Sequence, residues 1–292
     1  MMHAHLKSQC GFTLVEMIVV IVITGIIGGM VAMFIRAPVQ GYVDSARRAE
    51  MTDIADTSLR RLGRDLRTAV PNSVRVPAPA GSTYVEFMPT KDGGRYRVSA
   101  TGGGGGCGAA GDDLNFAAAD TCFEIVGSPI TFAAGDQIVI GSTQSSGNPP
   151  YQLPTSATGV RRAYNGVVGA ATAVVMTSTV ALPVFAEQDG HRFEVVPNDQ
   201  QAVTYACLNL GTDTNGDGTG TLTRYWGYGF NPIQIAPPLG GSNAILADKV
   251  SACSFVYNTS NARDSLVAIS LTLTRSGENV SLYHEIHVNN IP

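Results

Sequence analysis

Gly11-Phe12-Thr13-Leu14-Val15-Glu16 heads an uncharged apolar run from Met17 to Ile35, and the reading of this stretch decides the rest. As a helix the run is roughly 28 Å long, close to the hydrocarbon thickness of a bilayer. A carboxylate at the start of such a run is out of place. Insertion scales charge about 2.5–3.5 kcal/mol for an Asp at the centre of a membrane helix, so an ionisable residue beside a span points to function. Its natural partner is a free amine. Cutting after Gly11 creates one on Phe12, close to Glu16 along the helix.

Gly11 to Glu16 resembles the prepilin cleavage motif of type IV pilins and type II secretion pseudopilins. The resemblance implies a leader over residues 1–11, basic through Lys7 with His3 and His5 adding to it. A prepilin peptidase would cut between Gly11 and Phe12, and Phe12 would then be N-methylated. A secretory signal is cut behind its apolar region and loses it. Here the cut precedes that region, so the mature chain keeps a span over residues 12–35. Arg36, Arg47 and Arg48 follow the span about as closely as Lys7 precedes it, so charge bias alone does not orient it. The cytoplasmic-facing peptidase implied by the family does: N-terminus inside, bulk outside. Glu16 is expected to pair with the Phe12 amine during assembly.

Net charge of −4 with 14% charged residues argues against nucleic acid as a partner. Cys10 leaves with the leader. Cys107, Cys122, Cys207 and Cys253 remain, an even set for an oxidising compartment, and four cysteines allow three pairings. Cys107–Cys122 and Cys207–Cys253 are favoured because nearest pairs close the shorter loops. The rival, zinc, wants a C-x-x-C spacing that the sequence lacks.

Residues 36–70 continue the helix in amphipathic form. Pro38 and Gly41 are expected to interrupt it just past the membrane, and Gly25-x-x-x-Gly29 either lets helices approach or marks unwinding. Met51, Ile54, Ala55, Leu59, Leu62, Leu66 and Ala69 define one apolar stripe. Asp56 with Arg60, and Arg61 with Asp65, are placed to pair at i,i+4. Arg60, Arg61, Arg64 and Arg67 read as a solvated face interleaved with acids, with an anion site as the rival. Pro71 and Asn72 end the helix.

Residues 71–292 read as a β-rich head. Val85 and Phe87 mark a first strand, Lys91–Gly94 a turn, Gly102–Gly106 a flexible loop and Gly141–Thr158 a long polar loop. Further strands are expected at Thr121–Val126, Gln137–Ile140, Ala173–Met176, Arg192–Val196, Val203–Leu208 and Thr221–Trp226. Val267, Ile269, Leu271 and Leu273, then Val280, Leu282, His284, Ile286 and Val288, alternate about Ser276–Asn279 and spell a hairpin with one buried face. The whole is an α+β chain: a long N-terminal membrane-spanning helix whose distal half packs on an antiparallel sheet, as in the pilin-like fold.

No catalytic motif emerges, and the chain is not read as an enzyme. His284-Glu285-Ile286-His287 has the wrong spacing for a metalloprotease helix, and strand alternation sends its histidines to opposite faces. His191 has no companion nucleophile in a recognisable motif. Asp213-Thr214-Asn215-Gly216-Asp217-Gly218 copies the first half of a calcium loop, with Asp213, Asn215 and Asp217 as ligands, but Arg224 stands where the bidentate Glu belongs. The same residues suit a bare surface turn. Both readings stay open.

Ala46-Arg47-Arg48-Ala49-Glu50 through Leu62-Gly63-Arg64-Asp65-Leu66-Arg67 resembles the helix of J-type minor pseudopilins. Cys207, Leu222-Thr223-Arg224-Tyr225-Trp226-Gly227-Tyr228, Leu246–Cys253 and the ending His287–Pro292 are similar to minor pilin-like biogenesis proteins of the mannose-sensitive haemagglutinin (MSHA) pilus. The likeness lapses at Gly102–Gly111, which carries Cys107, and at Asp213–Gly220. It implies a low-copy structural subunit held in the inner membrane by one span, its C-terminal domain periplasmic, before it joins a filament near the tip. Implied partners are the prepilin peptidase, major and minor pilins, the inner-membrane assembly platform and the lipid bilayer. The alternatives are a minor pseudopilin of a type II secretion system, and a tip adhesin using Tyr225, Trp226 and Tyr228.

Overall fold

A computed structural model describes residues 11–77, 82–101, 107, 110–144, 146–188, 190–235, 237–258 and 264–290, without the side chains of residues 37 and 264. One helix, α1, runs Leu14–Arg67. Its part up to Glu50 belongs to one compact unit; a second unit, Met51–Pro292, holds the remainder of α1 and every strand.

The strands are β1 (Tyr84–Phe87), β2 (Asp92–Tyr96), β3 (Cys122–Val126), β4 (Ile130–Phe132), β5 (Gln137–Ile140), β6 (Arg161–Tyr164) and β7 (Gly169–Ala171). They continue with β8 (Ala173–Thr177), β9 (Arg192–Val196), β10 (Val203–Leu208), β11 (Gly220–Trp226), β12 (Ser242–Asn258), β13 (Asp264–Arg275) and β14 (Glu278–Asn289). An antiparallel sheet runs β1-β10-β11-β12-β13-β14. Met51, Ala55, Leu59, Leu62 and Leu66 of α1 bury the predicted stripe in one core with Phe87, Tyr205, Leu222, Phe255, Ile269 and Ile286 of the sheet. A buried Leu contributes about 1.5–3 kcal/mol by leaving water, so this stripe alone commits the distal helix to the sheet. The α+β arrangement is the one expected of a pilin-like chain.

Between β1 and β10 the chain makes something the periodicity does not announce: a closed barrel, β2-β3-β8-β6-β5-β9, with β4 and β7 as a separate pair. Closure comes from β9, which bonds to both β2 and β5 and so removes both edges. Phe123, Ile138, Val174, Met176, Phe193 and Val195 fill it, and the Phe132 ring stacks on Tyr164 at 4.1 Å. A third cluster, with Val70, Met88, Val139, Tyr151, Val196 and Ala202, joins barrel to sheet. Across this joint Arg75 donates to Glu86 at 2.8 Å and to the carbonyls of Asn231 and Pro232, and its guanidinium lies 3.6 Å above the Tyr151 ring. Burial pushes the Glu86 carboxyl up, against the pull of Arg75. Arg162 is fully buried in the barrel wall with no carboxylate partner among the described residues: its guanidinium donates to Ser178 Oγ and to the carbonyls of Gly159, Arg161, Val180 and Ala181.

Four expectations are corrected. Helix α1 passes Pro38 and Gly41 without interruption, and likewise Gly25–Gly29. Proline costs a helix one hydrogen bond and a carbonyl clash, and the helical bonds on either side of Pro38 carry α1 past it; at Gly25–Gly29, inside the apolar run, the backbone groups have no better partners than helical ones. Lys91–Gly94 is mostly strand, because its glycines serve close approach: a Cβ on Gly94 would stand 2.9 Å from Ile130 Cδ1 and 3.0 Å from Phe193 Cζ. Gly141–Thr158 contains a buried 3₁₀ turn, Pro149–Tyr151, whose Tyr151 hydroxyl donates to Ser73 O at 2.8 Å. Asp65 pairs with Arg224 at 2.8 Å, not with Arg61. The expected loop at Gly102–Gly106 lies outside the described residues.

Candidate functional site

The unit ending at Glu50 carries the Gly11–Glu16 motif. Thr13 stands at the N-cap of α1, and Glu16 reaches back to it: the Glu16 carboxylate accepts from the Thr13 N–H at 3.1 Å and from its hydroxyl at 3.2 Å. Thr13 Oγ1 in turn accepts from the Glu16 N–H at 3.3 Å. This is a capping box, in which two helix-end donors are satisfied reciprocally for about 1 kcal/mol. The T-x-x-E signal for it was present in the sequence, and the reading of Glu16 as an amine partner passed over it. The two roles are compatible. Phe12 is 81% exposed and precedes Thr13 directly, so an amine released there lies beside the carboxylate that the box already points at the helix start. The leader residues 1–10 lie outside the described residues.

From Met17 to Ile35 the large apolar side chains of α1 are exposed, and the segment is long and apolar enough to cross a membrane. A Cβ added at Gly25, Gly28, Gly29 or Gly41 would meet nothing within 4 Å. Among the described residues nothing therefore requires glycine there.

In the second unit the four cysteines meet as two disulfides. Cys107–Cys122 joins the segment before β3 to that strand, with Cα atoms 5.4 Å apart. The Gly111 N–H, at 2.8 Å, and Arg97, at 2.5 Å, both donate to Glu124, and in that order they hold its carboxyl below the usual range. Cys207–Cys253, with Cα atoms 6.2 Å apart, links β10, where Cys207 stands opposite Leu222 of β11, to β12.

Asp213, Asn215 and Asp217 come together in a tight turn. The Asp213 carboxylate accepts from the N–H groups of Asn215 and Asp217 at 2.9 and 2.8 Å. Asp217 accepts from the Ser276 N–H at 2.7 Å and from Lys249 Nζ at 3.0 Å, and these two donors, in that order, lower its pKa. The turn is thereby fastened to the β13–β14 hairpin. Among the described residues no group of three or more His, Cys, Asp or Glu is placed to hold a metal ion.

The aromatic trio does not form one platform. Tyr228 donates to Glu86 at 2.9 Å and shares a hydrogen bond with Thr204 at 2.6 Å, while Trp226 packs partly on the main core under Arg224. His284 sits half-buried towards α1 and His287 faces out, on opposite sides of β14. His191 packs edge-on against the Tyr96 ring at 5.6 Å.

No protein of curated function and no solved structure matches the chain. Residues 6–33 match a family model described as the prokaryotic N-terminal methylation motif. With the capped, exposed apolar helix behind that motif, the chain carries the N-terminal signature of type IV pilin-like and pseudopilin subunits.

Proposed function

We propose that this protein is a minor pilin-like structural subunit, MshO-like, that assembles or primes a type IV pilus of the MSHA kind. The observation that carries the reading is the Gly11–Glu16 motif at the head of an unbroken, exposed apolar helix. Prepilin peptidase cuts between Gly11 and Phe12 on the cytoplasmic side, Phe12 is N-methylated, and the span over residues 12–35 holds the chain in the inner membrane. Residues 36–70 extend the helix and residues 71–292 form the periplasmic head. On joining the filament, Glu16 pairs with the Phe12 amine, which offsets a charge that lipid would otherwise penalise. The exposed glycines suit a helix packed among the helices of other pilins. The function is assembly, not catalysis.

A minor pseudopilin of a type II secretion system uses the same helix, motif and sheet, and is the second reading. Mass spectrometry of the membrane form tests both against an ordinary anchor. An N-methylated Phe12 terminus is expected, and an intact leader in cells carrying the peptidase would sink the reading. Depletion of pilus or of secretion in a deletion strain then separates the two systems.

A further inference from the structure

The six-stranded sheet ends at β14, and among the described residues no strand lies beyond it. Through its centre, Val280–Val288, one row of backbone donors and acceptors therefore faces away from β13. Proteins commonly blunt such an edge with Pro, Lys or a bulge. β14 has neither residue, and its register with β13 runs from Asp264↔Asn289 to Arg275↔Glu278 without a shift. On the side facing α1 its cover is incomplete: Ile286 and Val288 are buried, but Val280, Leu282 and His284 are only half-buried.

Beside this edge lies a groove of about 510 Å³, lined by Asp56, Arg60, Gly63, Arg64, Arg67 and His284 among others. Gly63 lets the strand come close, since a Cβ there would already touch Ile286 Cδ1 at 3.5 Å and His284 Nε2 at 3.7 Å. Asp56 is taken by Arg60 at 2.6 Å. Arg64 and Arg67 are exposed, with no carboxylate at ion-pair distance among the described residues. In a chain of net charge −4 this is a local excess of positive charge flanking an open strand edge.

We propose that β14 is a docking edge for an extended acidic segment of a partner subunit, added as one further strand. Its main chain would bond to the free row of β14; on the face it shares with α1, its side chains beside Val280 and Leu282 would be apolar and those beside His284 would be carboxylates that meet Arg64 and Arg67. A second copy of this chain fits poorly, because edge-to-edge pairing would bring two such basic grooves together. The inference rests on the subunit reading only for the source of the partner.

The test uses the full chain in detergent micelles and a labelled peptide of about ten residues, a length matched to the edge, whose alternate positions on one face carry Val towards one end and Glu towards the other, with Thr between them. Fluorescence anisotropy should show binding, and hydrogen exchange should show slowed amides in β14. A Lys-for-Glu peptide, and a Glu peptide N-methylated at alternate residues, should each bind at least about tenfold more weakly. Arg64→Glu with Arg67→Glu should weaken the Glu peptide by a similar factor and favour the Lys peptide; Arg64→Gln with Arg67→Gln replaces it if charge reversal disturbs the fold. Failure of the Glu peptide to bind overturns the proposal. So does equal binding of the N-methylated peptide, which would mean charge attraction without strand addition. Methylated Phe12 with no peptide binding would sink the docking edge alone and leave the subunit reading intact.

Discussion

Asp65, near the end of α1, accepts from Arg224 of β11 at 2.8 Å, although Arg61 stands one turn before it on the same helix. The Tyr205 hydroxyl donates to the same carboxylate at 2.7 Å. The pairing that helical spacing favours is solvated and contributes a few tenths of a kcal/mol, whereas the one to the sheet is largely withdrawn from water. Arg224 is only 10% exposed and leans over Trp226. Asp65→Asn should therefore cost about 2–3 kcal/mol, because it leaves a nearly buried guanidinium without its charge partner. Arg61→Ala should stay within about 0.5 kcal/mol. Chemical denaturation of both variants, with an Asp65/Arg224 double-mutant cycle, measures the difference.

Glu16 closes the capping box, and two substitutions separate that from its proposed pairing with the Phe12 amine. Glu16→Gln keeps an oxygen able to close the capping box with Thr13 but removes the charge for the Phe12 amine. We expect Glu16→Ala and Glu16→Gln alike to leave cleavage largely intact and to impair filament incorporation. Recovery of incorporation by Gln would show that the cap alone is needed; normal incorporation of both would refute the pairing.

Glu194 of β9 has a carboxylate oxygen buried without a hydrogen-bond partner, and burial raises its pKa from 4.5 to about 7 against the pull of Arg192. Between those values the folded protein keeps a proton that the unfolded chain releases. Stability should thus fall as pH rises through this window, by up to about 3 kcal/mol, and stay lost above it. Glu194→Gln should remove that slope and be more stable than the parent above about pH 7. Melting curves of the pair at acid and neutral pH give the result directly, since other titrating groups cancel in the comparison.

The two disulfides should differ in weight. Cys207–Cys253 closes a separation of 46 residues between buried positions of the main core. Cys107–Cys122 closes 15 and reaches an exposed Cys107. Loop entropy alone gives about 4 against about 3 kcal/mol. Replacing Cys207 and Cys253 by Ser should lower the melting temperature more than replacing Cys107 and Cys122. A non-reducing map that links Cys107 to Cys253 would overturn the assignment.

Calcium titration decides between the two readings of the 213–217 turn. With Asp217 already engaged by Lys249 and Ser276, about 1 mM calcium should move the melting temperature by less than about 1 °C. A shift of several degrees that Asp213→Asn abolishes would assign the turn to the ion.

The elements legible in the sequence are those whose physics is local. The stripe from Met51 to Leu66 and the alternation from Val267 to Val288 each report one buried face, and both lie where the periods place them. The long strand β12 was missed because its register shifts between Val250 and Ala252, which breaks the alternation, and because Ile245 is exposed. Barrel closure was invisible for another reason: β9 bonds to β2 and β5 across long stretches of chain, and no local pattern encodes that pairing. At the candidate site the motif was legible, since it is contiguous. The Asp65–Arg224 pair was not, because it needs the helix laid on the sheet.

The barrel leaves the sheet after β1 and returns at β10, and these strands are neighbours: Phe87 stands opposite Val203 on the same rung. The insertion thus enters and exits through adjacent points, so its presence costs the host sheet neither a strand nor a change of order. By topology residues 88–202 are an insertion, and a short turn from β1 to β10 would leave the order of the host sheet unchanged. What would resist exchange is the seam, where Val70 would lose its cover and Arg75 the Tyr151 ring it lies over.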